Sequence, residues 1–528
     1  MIRSGVARRP FKEAVRGVKP ATLILTVLIA AAASGASYTP QTIQNPPGTD
    51  ADLAVGEAAA RSECGACHVL PPPDVLPRPA WRDEIARMLL IKNGQPEPAG
   101  PRGTAARMVS LPVEWQAIVK YYEARAPEQL PLPASWPDPD GRLAFSKREI
   151  PGPPGSSIHT VANVRLIDTN RAGRPSVVVS DMRSGIVYAL RIENEPAAIV
   201  NLGRLSNPAH ATPVDLDRDG RLDLLLADLG SFVPGDHDRG AVVWLRARED
   251  GTYAAVTLKR GPRVADVEAA DFDGDGRLDL AVGSFGWRRT GDLTILKNET
   301  LDPDKPAFAP HLIDKRTGAI HTIPVDLDRD GRSDLITLFA QEHETVVAFL
   351  NRGGLRFEAQ RVYSAPHPNW GSSGIEAVDL DKDGDLDVVM SNGDMFDDQI
   401  LKPYHGIQWL ENRGTFPFTE HTLVSIPGVQ RAATADLDGD GDLDIAACAL
   451  VPSRDADTRR LPSVIWLEQS PPGRFVLHVL ERGVPTHATL DVGDLDRDGD
   501  VDIVVGNFSL ESPVTSPLSF FENLRVKK

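Results

Sequence analysis

The chain is poor in cysteine: three in 528 residues, too few for a disulfide framework. It is also poor in basic charge. Its 57 Lys and Arg face 74 Asp and Glu, and the resulting −17 argues against a general nucleic-acid binder. Long helices have little room, because 44 Gly and 44 Pro are scattered along the whole chain and punctuate it with turns. A nucleophile elbow, a phosphate loop and a dinucleotide fingerprint are all missing, so the Gly-rich segments belong to turns. What is present is globular in balance, 41% apolar and 25% charged, and long enough for several folding units or one large repeat array.

The first segment reads as an address. Arg3, Arg8, Arg9, Lys12, Arg16 and Lys19 precede an uncharged run from Ala21 to Ala33, and Ser34-Gly35-Ala36 follows. A positive region, a short apolar core and small residues are the parts of a secretory signal. The core is shorter than the ~20 residues that span a bilayer as a helix. Residues 1–36 are therefore expected to be a cleaved signal peptide, with the mature chain periplasmic or extracellular and membrane-associated only if the segment stays uncleaved. Arg8-Arg9-Pro10-Phe11 is a faint likeness to a twin-arginine signal, set aside because the next module needs its cofactor attached after export.

That module, 50–127, carries Cys64-Gly65-Ala66-Cys67-His68. Cys-x-x-Cys-His is the signature for thioether attachment of haem c: two thiols add to the vinyl groups, and His68 is the proximal iron ligand. A zinc site normally wants four ligands, and the sequence holds no second Cys pair. Residues 81–91 look helical, and Trp115, Ile118, Val119 and Tyr122 give 113–123 the spacing of an amphipathic helix. One covalent haem c is expected. Its distal ligand is Met88 or Met108: a thioether there raises the haem potential, and either methionine would otherwise be core filler. Met108, just before the last helix, is similar in place to the distal ligand of small class I cytochromes c; the stretch around Met88 resembles one in bacterial cytochrome–propeller fusions but lacks its Leu-Pro. Pro-rich residues 128–141 then form a semi-rigid linker.

From 142 to 525 the chain repeats itself. Asp215-Leu-Asp-Arg-Asp-Gly-Arg-Leu-Asp223 returns at Asp271, Asp326, Asp379, Asp436 and Asp494, after a degenerate copy at Asp168–Ser176. The starts lie 47, 56, 55, 53, 57 and 58 residues apart, which suits one four-stranded blade per repeat. The last repeat stops after its third strand, and Phe145–Ile150 supplies the missing fourth from the other end. Such an exchange zips a ring shut and removes two sheet edges. The fold class is thus mainly β: a seven-bladed propeller behind a small helical domain. On these Asp loops the chain resembles the FG-GAP/VCBS repeat family of integrin-α-like propellers, and with Cys64–His68 in front it looks like secreted cytochrome–propeller fusions, a likeness that implies an architecture and no settled activity.

Carboxylates at loop positions 1, 3, 5 and 9 with Gly at 6 suit an oxygen cage for Ca²⁺. In the first full loop these are Asp215, Asp217, Asp219 and Asp223, with the Arg221 carbonyl at position 7. The equivalents are Asp271, Asp273, Asp275 and Asp279; Asp326, Asp328, Asp330 and Asp334; Asp379, Asp381, Asp383 and Asp387; Asp436, Asp438, Asp440 and Asp444; and Asp494, Asp496, Asp498 and Asp502. Up to six structural Ca²⁺ would bring −17 to −5. The degenerate copy, with Ala172 and Ser176, binds nothing.

On the opposite face, an equivalent position at the start of each innermost strand is expected to hold His159, His210, Asp266, His321, Gly374, Arg431 and His487, with Glu268 and Glu376 two residues on. These groups could hold a metal, a sugar or an anionic substrate, or simply line a wet channel. Long loops 230–240, 393–406 (with Asp394, Asp397 and Asp398) and 450–462 share that face. His311, His421 and His478 share an outer-strand position expected to be surface, and Cys448 is expected to be a buried thiol.

The functional expectation is one-electron transfer by the haem, with the propeller docking a redox partner protein, a small molecule or a glycan. Two rivals stay open: a propeller that is itself a dehydrogenase feeding the haem from His159, His210, His321 and His487, and an adhesion protein whose haem senses redox state.

Overall fold

The computed structural model describes residues 50–98, 103–133, 135–138, 145–154, 158–169, 175–192, 198–451, 457–510 and 516–524. The expected signal peptide lies outside them, as does most of the degenerate Asp loop. Among the described residues no helix is long and apolar enough to cross a membrane.

Four helices form the N-terminal module: α1 (Asp50–Glu63), α2 (Arg78–Lys92), α3 (Thr104–Met108) and α4 (Val113–Arg125). The spacing of Trp115, Ile118, Val119 and Tyr122 buries one face of α4, as expected. Trp81 stacks on Tyr122 with ring centroids 3.9 Å apart, and their polar ends donate to backbone carbonyls, Trp81 Nε1 to Pro73 at 2.9 Å and Tyr122 Oη to Pro71 at 2.9 Å. Polar tips satisfied in this way let two large rings fill a small core at no desolvation penalty.

The remainder is seven four-stranded antiparallel sheets. Blades 1 to 6 are consecutive along the chain, and blade 7 is built from His487–Gly493, Asp502–Asn507, Leu518–Asn523 and, as its outer strand, Phe145–Ile150. The closing register runs from Phe145 opposite Asn523 to Ile150 opposite Leu518. Every second strand, for example Asp223–Asp228 or Asp444–Ala449, is buried at all six positions. Both its faces are covered by neighbouring blades, so it is a continuous apolar run, whereas the outer strands alternate. Cys448 lies in such a run and is 1% exposed, a buried thiol as expected.

One reading of the outer strands needs correction. His478 is buried rather than surface: it stacks on Trp466 at 4.3 Å and hydrogen-bonds Glu468 Oε2 at 2.7 Å. The linker is also more than a spacer, since Trp136 Nε1 donates to the Ser425 carbonyl at 3.0 Å and its own carbonyl accepts from Arg482 at 2.9 Å.

The helical module docks on the propeller through the loops between second and third strands. Ile400, from the long blade-5 loop, completes the helical core, and Tyr404 Oη donates to the Val75 carbonyl at 3.1 Å. From blade 3, Arg288 Nη2 lies 2.9 Å from Glu97 and Arg289 donates to the Gly94 carbonyl at 2.8 Å. The same blade-5 loop reaches across to blade 7, where Phe396 meets Phe508 edge-on at 5.7 Å. The long blade-5 loop therefore touches both the helical module and blade 7.

Candidate functional site

Each innermost strand opens with a β-bulge, and the residue just after it is the one that faces the channel. These residues are Asn163, His210, Asp266, His321, Gly374, Arg431 and Thr489. Five of the seven expected positions hold, and His159 and His487 are corrected. His487 is the residue before its bulge, fully buried between Asn507 Oδ1 (2.7 Å) and Glu481 Oε2 (2.6 Å). His159 precedes the strand altogether, 4% exposed and 3.4 Å from Asp181. Counting back five residues from the first Asp of each loop would have found the correct set, because that spacing is constant while the preceding loops vary. Two residues further on, Arg165, Glu268, Glu376 and Asp491 add a second tier.

The channel side chains are mutually bonded. His210 Nδ1 and Asp266 Oδ1 are in close contact, and Asp266 Oδ2 accepts the Thr322 N–H at 2.7 Å. Burial would lift the Asp266 carboxyl, but the His210 imidazole holds it below the usual carboxylate range. Glu268 lies 4.0 Å from His210 Nδ1 and accepts from Thr212 Oγ1 at 3.1 Å; burial and then the Asp266 charge outweigh the relief from His210 and Arg165 and push it up to about 7. His321 stacks beside His210 with centroids 6.2 Å apart. Its Nδ1 accepts from Arg431 Nη1 at 2.8 Å, so its proton sits on Nε2. Burial and the Arg431 charge push His321 down to about 3, so it is neutral. Glu376 accepts from Thr434 N at 2.9 Å and Thr434 Oγ1 at 3.0 Å, and Asp491 accepts from Leu166 N at 2.7 Å, so these two staple neighbouring blades.

The Asp loops repeat one geometry. Position 4 is left-handed in all six, at Arg218, Gly274, Arg329, Lys382, Gly439 and Arg497. The position-6 glycine is left-handed too, and at Gly220, Gly276, Gly331 and Gly441 a Cβ would meet nothing within 4 Å, so backbone conformation and not space requires glycine. The position-6 N–H donates to one oxygen of the first Asp in every loop, as in Gly384 to Asp379 at 3.0 Å and Gly441 to Asp436 at 3.1 Å. The other oxygens of Asp379 and Asp436 are buried without a hydrogen-bond partner.

The ninth carboxylate has a duty that spacing did not reveal. Asp387 accepts from Leu380 N (3.2 Å) and Asn412 N (2.7 Å), Asp444 from Leu437 N (3.1 Å) and Gln469 N (2.8 Å), and the other four do likewise. Asn298, Asn351, Asn412, Gln469 and Asn523 then return a side-chain amide to the loop carbonyl before that Asp. An amide residue recurring at or just past the end of the third strand in blades 3 to 7 was the available signal.

The loops divide into two electrostatic classes. In blades 2 to 4, position 7 is Arg221, Arg277 or Arg332, each paired with the fifth Asp of its own loop. The third Asp also meets a cation: Arg246 on Asp217 at 2.6 Å, Lys297 on Asp273 at 2.5 Å and Arg352 on Asp328 at 2.7 Å. In blades 5 to 7, position 7 is Asp385, Asp442 or Asp500, and the residue matching Arg246 and Lys297 is Glu411, Glu468 or Glu522. The Lys297 ammonium holds Asp273 below its usual range, whereas burial, Asp383 and Glu411 lift Asp381.

Residues 215–282, 307–390 and 392–447 match an FG-GAP-like repeat family. The propeller carries FG-GAP repeats. No curated protein matches the chain.

In front of the FG-GAP propeller, Cys64 to His68 follow directly on α1. Cys64 is half-buried and Cys67 exposed, and His68 Nδ1 hydrogen-bonds the Val69 carbonyl at 2.9 Å. A carbonyl only accepts, so the imidazole proton is on Nδ1 and the Nε2 lone pair is left for a ligand. Val55, Val69, Met108 and Val113 of this small module are all more than 60% exposed, whereas Met88 packs against its core.

Proposed function

We propose that the protein is an exported c-type cytochrome in which a calcium-stabilised FG-GAP propeller carries the haem module and binds a ligand or partner at the channel mouth. The observation that carries this reading is the Cys64–His68 turn, with His68 Nε2 free and four large apolar side chains exposed on the same module. A free imidazole nitrogen, two unpaired thiols and an uncovered apolar surface fit a porphyrin, which would supply one-electron redox chemistry. The module itself attaches the group through Cys64 and Cys67, fixes the His68 tautomer through Val69 and offers Met108 on α3 as the exposed thioether. Acid–acetone extraction of the exported protein tests this. Haem colour should remain with the chain and be lost in Cys64→Ala/Cys67→Ala; a wild-type protein that gives up all its colour refutes the proposal.

The calcium reading is supported by the partnerless buried oxygens of Asp379 and Asp436, and in blade 5 by Glu411 standing where blade 3 has Lys297. Ligand binding at the channel mouth is supported by the polar residues His210, Asp266, His321 and Arg431 that follow the bulges of four innermost strands. A redox enzyme is the second reading, favoured by the His210–Asp266 pair, in which a buried carboxylate orients an imidazole toward the channel.

A further inference from the structure

We propose that the channel holds a divalent transition-metal ion on His210, Asp266 and Glu268, separate from the calcium loops and from the haem. One ligand atom from each residue, an imidazole nitrogen and two carboxylate oxygens, lies within 4.8 Å of the other two. His210 Nδ1 and Glu268 Oε1 lie 4.0 Å apart, a gap that two metal–ligand bonds of about 2.0–2.2 Å span. All three residues are held before any ion arrives. Asp266 is fixed by the Thr322 N–H and Glu268 by the Thr212 hydroxyl, while His210 Nδ1 shares a proton with Asp266 Oδ1 that the incoming ion would displace to water.

Charge points the same way. Two carboxylates lie side by side on one strand at the protein's axis, with side chains only 4% and 20% exposed. Of the two guanidiniums nearby, Arg431 is committed to His321 and the Ile375 carbonyl, which leaves Arg165 as the cation reaching Glu268. A 2+ ion would cancel the pair and remove the like-charge repulsion within it. An imidazole with two carboxylates selects zinc, iron, nickel or manganese over calcium, whose sites are oxygen-only. Three protein ligands leave coordination positions free for water or a substrate oxygen, the arrangement of a reactive centre and not of a structural one.

The test is Zn²⁺ binding by the full-length holoprotein in saturating Ca²⁺, read by equilibrium dialysis with elemental analysis. One Zn²⁺ per chain is expected, weakened at least tenfold in both His210→Ala and Glu268→Gln. Glutamine at 268 keeps an acceptor for Thr212, so this variant should fold, which an unchanged calcium-dependent melt would verify. Glu376→Gln, on the blade-stapling carboxylate, should bind Zn²⁺ as the wild type does. Zinc uptake that is absent from the wild type, or equal in all four proteins, overturns the assignment.

Discussion

The two loop classes make a sharp prediction for Glu411→Lys. In blade 3 the ammonium of Lys297 sits 2.5 Å from the third Asp of its loop, and residue 411 occupies the same register position in blade 5. A lysine there should pair with Asp381 and take the place of the ion. A calcium site filled at one hundred times its dissociation constant contributes about 2.7 kcal/mol of stability. A partly exposed Lys–Asp pair returns roughly 0–1 kcal/mol. The variant should therefore bind one Ca²⁺ fewer by isothermal titration, and calcium should raise its melting temperature by less than it raises that of the wild type. In EGTA the order should reverse, because the variant keeps its internal cation and the wild type is left with three facing carboxylates. The converse, Lys297→Glu, should gain calcium affinity. An unchanged stoichiometry in both variants would show that the loop cations do not decide occupancy.

Other expectations concern stability and docking. Burial pushes Glu344 up to about 8, so its proton is retained in the fold and lost from the unfolded chain above pH ~4.5; stability should fall as pH rises from there toward 8. Glu344→Gln, which keeps an acceptor for Ser372 N, should raise the melting temperature at pH 8.5 and leave it unchanged at pH 5; an equal shift at both would refute the linkage. Ile400→Asp should free the helical module to limited proteolysis while the propeller still melts cooperatively, and a protease pattern like that of the wild type would deny that Ile400 anchors the module. Ile150→Ala, in the closing strand, should cost about 2–5 kcal/mol by denaturant titration, and a cost below 1 kcal/mol would mean that closure carries little stability.

The propeller was legible because its repeats state the same local physics six times: an apolar run, an Asp loop, another run. The outer strand at Phe145–Ile150 could be placed from a single missing element. The channel was half legible. His210, Asp266, His321 and Arg431 follow the loop spacing, but counting forward from the outer strand lands on His159 and His487, because those connections differ in length, and the positions after the bulges are Asn163 and Thr489. Tyr404 bonds the Val75 carbonyl across 329 positions and Ile400 joins the same helical core, and no periodicity encodes such contacts. The ninth Asp shows where spacing stops: it reveals which carboxylates are near one another, but not the two backbone amides that each of them also accepts.

Closure by Phe145–Ile150 also dictates an order of assembly. The outermost strand of blade 7 leaves the ribosome ahead of every blade, yet its partner, Leu518–Asn523, is made after all the others. For the whole of synthesis one strand has an unpaired edge with no neighbour to cover it, and such an edge invites pairing with another nascent chain. The ring is thus a fold that forms only when the polypeptide is complete, and any chain stopped before residue 518 would carry six blades and a loose ribbon.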